Sequence, residues 1–171
     1  RSRHPAGRGA GLAARACRLC IEAPRGKPLP HEPRPVLQFN ESARVLIAGQ
    51  APGTRVHASG RPFTDPSGDR LRRWLGIGED VFYDDNRIAI LPMGFCFPGL
   101  SPKGADLPPR RECAPQWRAR LMQHLVHIRL IVTLGLPAAQ WHLAEAPPAT
   151  LAEGLAEWKR HLQRAPPVVM L

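Results

Sequence analysis

The sequence predicts an α/β fold, a three-layer α/β/α arrangement around a central, mainly parallel four-stranded sheet. Two observations predict it. Apolar runs at 43–48, 87–91, 129–134 and 168–171 have the make-up of strands buried on both faces, and the first three stop at Gly49, Pro92 and Gly135. Segments with helical spacing of apolar residues separate them, and strand alternating with helix marks a layered domain with parallel pairing. The chain's 171 residues suffice for one domain with a real core.

Residues 1–16 are rich in Arg, Gly and Ala and are expected to form a flexible basic N-terminus, leaving 17–171 as the folded domain. Pro24, Pro28, Pro30, Pro33 and Pro35 then punctuate an extended surface connector. Ala43–Ala48 is the first strand, followed by a Gly/Pro-rich loop to Gly68. Asp69–Leu75 reads as a helix entered through Ser67 and closed by Gly76. Arg87–Leu91 is the second strand, and 96–115 a long loop. Trp117, Leu121 and Leu125 give 116–126 a helical period. Arg129–Leu134 is the third strand; 137–143 and 151–162 are helices, the latter with Trp158 on its apolar face; Val168–Leu171 begins a fourth strand.

The four cysteines are Cys17, Cys20, Cys96 and Cys113, a C-x2-C pair followed 75 residues later by two cysteines with 16 residues between them. Four thiolates suit a tetrahedral zinc ion or an iron–sulfur cluster. The long middle gap separates this pattern from a zinc ribbon and ties the start of the chain to the flank of the domain. The other reading is four incidental or structural cysteines, with a disulfide between two of them, which the C-x2-C spacing disfavours.

The formal net charge is +10, and 21 of the 24 basic residues are Arg. Such a surplus favours polyanionic partners, nucleic acid first; a compositional bias toward Arg, Ala, Pro and Gly would give the same charge without a ligand. No apolar run approaches the roughly 18 residues that span a bilayer. The first residues lack the apolar stretch of a secretory signal, so the expected setting is cytoplasmic, where thiols bind metal rather than each other.

Ligands of open α/β sheets sit beyond the carboxyl ends of the strands. Here those ends carry Gly49-Gln50-Ala51-Pro52-Gly53, whose glycines allow a sharp turn with exposed N–H groups and whose Gln50 has an amide suited to a planar heterocycle. A tight turn without a ligand fits the same five residues. Phe63, on Gly60-Arg61-Pro62-Phe63, is placed either to stack on a base or to plug the loop onto the core. No Gly-x-x-x-x-Gly-Lys phosphate loop is present.

The Gly-Gln-Ala-Pro-Gly loop after the first strand, then Ser59-Gly-Arg-Pro-Phe63 and the helix opening Ser67-Gly-Asp-Arg-Leu71, resemble the uracil-DNA glycosylase superfamily. With the order of the cysteines, the resemblance is to its iron–sulfur-containing bacterial and archaeal members and covers about 17–171. It implies a monomeric DNA-repair enzyme that hydrolyses the N-glycosidic bond of uracil, or a related deaminated base, flipped out of single- or double-stranded DNA. By matching positions, Gln50 and the Ala51 backbone are the catalytic groups at the uracil edge. Gly49, Pro52 and Gly53 complete the substrate loop, and Phe63 stacks on the ring. Cys17, Cys20, Cys96 and Cys113 would ligate a structural [4Fe–4S] cluster, with Zn as the alternative.

Three departures accompany the resemblance. Ala51 stands where some branches carry a water-orienting aspartate. Leu91-Pro92-Met93-Gly94 lacks the asparagine that commonly reads the uracil edge after the second strand. The family's final strand leads to a His-Pro-Ser loop whose histidine donates to uracil O2, and the given sequence stops at Leu171, so the C-terminal part of the domain is expected to be missing. His57 is the one histidine of the first loop and a candidate substitute donor, against the plainer reading of a solvated loop residue. Asp65 and Asp69 read as helix-start carboxylates. Arg70, Arg72 and Arg73, and Arg110 and Arg111 beside Cys113, are phosphate contacts or solvated charges. The rival function is a nucleic-acid-binding protein that keeps the fold and cluster without the chemistry.

Overall fold

The computed structural model describes residues 5–171, with side chains from Gly7 onward. Its elements are α1 (Pro5–Arg15), α2 (Leu19–Glu22), β1 (Val45–Ala48), α3 (Thr54–Ser59), α4 (Pro66–Leu75), α5 (Glu79–Phe82) and β2 (Ile88–Ile90). They continue with α6 (Cys113–Met122), β3 (Leu130–Thr133), α7 (Leu136–His142), α8 (Leu151–Ala156), α9 (Trp158–Leu162) and β4 (Val168–Met170).

The four strands form one sheet in the order β2-β1-β3-β4, and every pair is parallel. Leu46 lies level with Ala89 and Ile131, and Ile47 with Ile90 and Val132. Successive side chains of a strand point to opposite faces, so these two rows enter two different cores. Leu46, Ala89 and Ile131 pack with Trp117 and Leu121 of α6, Ala139 of α7 and Ala14 of α1. Ile47, Ile90 and Val132 pack with Leu71 of α4 and Phe82 of α5. The sheet is thus covered by helices on both sides, the arrangement that its continuous apolar strands require.

The outer edge of β2 is closed by the proline-rich connector. Gln38 makes an antiparallel bridge to Ile90, its N–H donating to Ile90 O at 2.9 Å and its carbonyl accepting from Ile90 N at 2.8 Å. Its buried side-chain amide donates to Phe82 O and Ile88 O. A covered edge leaves no ladder for another chain to pair with.

Several sequence expectations are corrected. Residues 5–15, expected to be flexible, form α1, which rests on α6 and buries Ala14 completely. The fit depends on small residues: a Cβ on Gly11 would come within 2.9 Å of the Phe39 ring. Residues 1–4 lie outside the described residues. The Gly/Pro-rich loop contains α3, and the helix after it starts at Pro66 rather than Asp69, with Asp65 as its cap. The 151–162 helix breaks at Glu157, where α9 starts anew, and Trp158 is 54% exposed rather than on an apolar face. Among the described residues no helix is long and apolar enough to cross a membrane.

Candidate active site

The chain leaves β1 outward to β2 and then returns to β3 on the other side, so a crevice opens beyond the carboxyl end of β1 at this reversal. A cavity of about 310 Å³ occupies it. That volume is at the lower end of the roughly 300–1,000 Å³ found for small-molecule sites. Each strand contributes: Gly49 follows β1, Ile90 and Pro92 end β2, Leu134 and Gly135 follow β3, and Leu171 follows β4. Pro52, Phe63 and Leu71 extend the mostly apolar wall.

Gly49, Gln50, Ala51, Pro52, Gly53 and Phe63 all line this one space, so the structure brings the expected substrate loop and its aromatic together. The loop is laced to the segment after β2: Met93 N–H donates to Gly49 O at 2.9 Å and Gly94 N–H to Gln50 O at 2.8 Å. Among the described residues the N–H groups of Gln50 and Ala51 have no acceptor, so two amides are free beside the cavity. Gln50 reaches across to the end of β3. Gly135 makes room for it, since a Cβ there would overlap Gln50 Nε2 and come within 3.1 Å of its Cδ. The Gly135 backbone, φ 83° and ψ 166°, is one that side-chain-bearing residues scarcely adopt.

Phe63 has a left-handed backbone, φ 56°, uncommon for an aromatic. A clamp holds it there. Tyr83 Oη donates to Pro62 O at 2.9 Å and Phe63 O at 3.1 Å, and Arg72 Nη1 donates to Phe63 O at 3.1 Å. Burial raises the Tyr83 phenol above its ordinary pKa, keeping it a donor. The Phe63 ring meets Phe82 edge-on at 5.9 Å between centroids and touches the Gly49 side of the cavity. The aromatic therefore packs on the core through its edge while also forming cavity wall. Gly68 completes the fit, because a Cβ on it would overlap the Phe63 carbonyl.

His57 does not join this group. It sits on α3 with its ring 4.6 Å from that of His31 and 5.7 Å from that of Phe97, and it is absent from the cavity lining. Burial, then His31 and Arg34, lower its pKa, and its Nδ1 has no partner. The candidate donor role is therefore corrected: one helical turn past Gly53, its side chain lies among His31 and Phe97 while neighbouring Val56 faces the cavity.

A sequence profile of the uracil DNA glycosylase superfamily matches residues 37–170, the whole sheet and every wall of the cavity except Val36 and Leu171. The chain belongs to the uracil DNA glycosylase superfamily. The superfamily consists in general of DNA glycosylases, which implies a DNA substrate. The match includes Cys96 and Cys113 but begins after Cys17 and Cys20.

All four cysteines are free thiols, and three are buried. Cys20 and Cys96 share a hydrogen bond and a small apolar cluster with Leu29. The neighbouring Cys96 lowers the Cys20 thiol's pKa, while Cys20 and burial raise that of Cys96. Cys113 Sγ accepts from Phe95 N–H at 3.3 Å; burial, together with Cys20 and Cys17 nearby, pushes its thiol up to about 12. Four thiols, one of them accepting from a backbone N–H, are the donor type that a thiolate cluster or zinc takes. The sulfurs are not closed into a tetrahedron: among the described residues no three of His, Cys, Asp and Glu stand close enough to hold a metal.

Several residues that shape the site escaped the sequence reading. Arg72 is no solvated charge: it is 7% exposed, tied to Phe63 O and to Asp69 at 2.6 Å. Arg118 is 1% exposed, and its Nη1 donates to Leu91 O at 2.7 Å and Pro92 O at 3.2 Å, fixing the backbone that ends β2. Its Nη2 meets His142 Nε2. Arg110 is folded onto Glu112 at 2.7 Å rather than extended to solvent. A helix face occupied by one buried Arg carries no distinctive sequence period, and only the tertiary partners reveal it. Asp65 is an N-cap as expected, accepting from Gly68 N at 3.2 Å and from Ser67 Oγ at 2.6 Å, and it also lines the cavity.

Proposed function

We propose that this chain is a DNA-repair glycosylase that hydrolyses the N-glycosidic bond of uracil, or of a related deaminated base, flipped out of DNA. The observation that carries the reading is the cavity at the strand ends, where the free N–H groups of Gln50 and Ala51, the Gln50 amide and the wall of Phe63 meet in one apolar space. A flipped base fits such a site by stacking on an aromatic and by hydrogen bonds at its edge.

The reaction breaks the bond between the sugar C1′ and the base N1. Electrons of that bond leave with the base, the sugar acquires oxocarbenium character, and water adds at C1′ to give an abasic site and free base. The base departs as an anion whose charge resides on its carbonyl oxygens. Pre-oriented N–H donors in a water-poor cavity stabilise such charge far better than bulk solvent does, and loss of one donor costs about 10²–10³ in rate. Gln50 and Ala51 supply the donors, and the carbonyls of the same two peptide planes, Gly49 O and Gln50 O, accept from Met93 and Gly94, which fixes the direction of those N–H groups. Phe63, held by Tyr83 and Arg72, positions the ring.

Within the superfamily, the iron–sulfur type accounts best for the thiol set. Cys17, Cys20, Cys96 and Cys113 would hold a [4Fe–4S] cluster, or zinc in its place, which when bound cross-links the N-terminal segment to the flank of the domain. Cys113 opens α6, the helix that carries Arg118 to the end of β2, so the same segment supports the cavity wall.

The test is single-turnover excision with protein in excess over a single-stranded oligonucleotide containing one uracil, a thymine oligonucleotide being the control. Cleavage at uracil alone is expected. Absence of cleavage from folded protein that still binds DNA would replace this reading with a binding role for the fold. Iron and sulfide analysis of anaerobically purified protein tests the cluster: iron with sulfide supports it, zinc alone selects the alternative, and neither refutes both.

A further inference from the structure

The helix α4 offers the cavity one continuous face. Ser67, Arg70, Leu71 and Trp74 all line it, at the i, i+3, i+4, i+7 spacing that puts residues on a single side of a helix. The face runs from inside to outside. Leu71 is 3% exposed and belongs to the core beneath the sheet, whereas Trp74 is 62% exposed at the rim.

What sets this indole apart from other exposed apolar side chains is its place on the lining of a concave site, where a ligand entering the cavity meets it. Its faces are free. Phe63, Phe82, Tyr83 and Phe97 each pack against another ring, but among the described residues no ring pairs with Trp74 and no cation stands over it. Arg70, on the same face, and Arg73 form no ion pair among the described residues, while the neighbouring carboxylate of Asp69 is taken up by Arg72. A free aromatic face and a free guanidinium one turn apart match a nucleotide, base to ring and phosphate to cation.

We propose that Trp74 and Arg70 form a second nucleotide subsite at the mouth of the cavity. The unpaired base adjoining the flipped nucleotide stacks on Trp74, with the phosphate between them at Arg70. This subsite rests on the reading of the cavity as the site of a flipped base, and it goes further by assigning strand preference. A base that is paired and stacked within a duplex is not free to lie on Trp74, so the subsite selects single-stranded DNA.

The experiment measures binding of the full chain to fluorescein-labelled single-stranded and duplex oligonucleotides without uracil, and separately the kcat and KM for uracil excision from single strands. Trp74→Ala, Trp74→Phe and Arg70→Gln are compared with Trp158→Ala, which removes an exposed indole on α9 away from the cavity. Trp74→Ala is expected to weaken single-strand binding roughly tenfold, the order of one base–aromatic stack. Duplex binding should stay within about twofold, and kcat at saturating DNA should hold while KM rises. Trp74→Phe keeps a stacking face and restores most of the affinity; Trp158→Ala matches the parent protein. Single-strand binding by Trp74→Ala within about twofold of the parent overturns the subsite, as does equal loss for single strand and duplex. A parent protein that binds single strands through Trp74 yet excises nothing overturns the glycosylase reading and leaves the subsite standing.

Discussion

Gly135→Ala separates the backbone demands of the site from its chemistry. The residue sits at φ 83° and ψ 166°, where a non-glycine residue pays about 1–3 kcal/mol of strain. For a chain of 171 residues each kcal/mol lowers Tm by roughly 2–4 °C, so a fall of about 2–12 °C is expected in a thermal melt followed by circular dichroism. The new methyl also overlaps Gln50 Nε2. Because that is the far end of a flexible, exposed side chain, Gln50 swings aside at little cost in stability, but it leaves the cavity. Excision by Gly135→Ala should therefore fall as far as excision by Gln50→Ala. The double variant should fall no further, since either change removes the same amide, whereas independent losses would multiply. An unchanged Tm with full excision refutes the steric argument, and multiplying losses refute the link between Gly135 and Gln50.

Three further outcomes follow from the same contacts. Tyr83→Phe removes the phenol that holds Pro62 O and Phe63 O and should cost about 0.5–1.5 kcal/mol in urea unfolding, with a raised KM because Phe63 is less firmly held. Asp65→Ala deletes the cap of α4 and should cost about 1 kcal/mol, while Asp65→Asn, which still accepts from Gly68 N, recovers most of it in the same urea measurement. Burial, with Arg118 alongside, holds His142 at about 3 in the folded state against 6.5 ordinarily. Between those values the unfolded chain takes up a proton that the folded one refuses, so stability present above pH 6.5 is lost as pH falls toward 3. The slope from this group is up to about 1.4 kcal/mol per pH unit. His142→Gln, with an acceptor for Arg118 but no titration, should flatten the urea-midpoint profile between pH 4 and 6 relative to the parent.

The strands were legible because parallel strands buried on both faces need unbroken apolar runs, and Val45–Ala48 and Leu130–Thr133 are little else. The cavity followed from them, since glycine and proline at strand ends announce where the backbone turns. The short helices were hidden: α5 has four residues, too few to show a period, and α3 lies inside a run of Gly and Pro. N-terminal α1 is hidden in the sequence because Gly and Ala suggest looseness, while here their small size lets the helix sit against Phe39 and α6. Side-chain fate was least legible. Arg72 looks like Arg70 and Arg73 in sequence, and only Phe63 and Tyr83, brought in from either side, distinguish it. His57 stands out in sequence as the one histidine of the first loop, but that loop folds into α3, where successive residues turn by about 100°, and His57 lies off the cavity.

The two rungs from Met93 and Gly94 to the carbonyls of Gly49 and Gln50 have a consequence for dynamics. Binding loops commonly belong to the least stable part of a protein and open on their own. Here the Gly49–Gly53 loop is a continuation of the β1–β2 ladder beyond the strands, so its opening breaks bonds contiguous with the sheet. The amide protons of Met93 and Gly94 should then exchange with solvent deuterium as slowly as those of Ile47 and Ile90, at the rate of global unfolding. The rim at Trp74 lies outside this lacing, so the proposed nucleotide subsite is the part left to adapt.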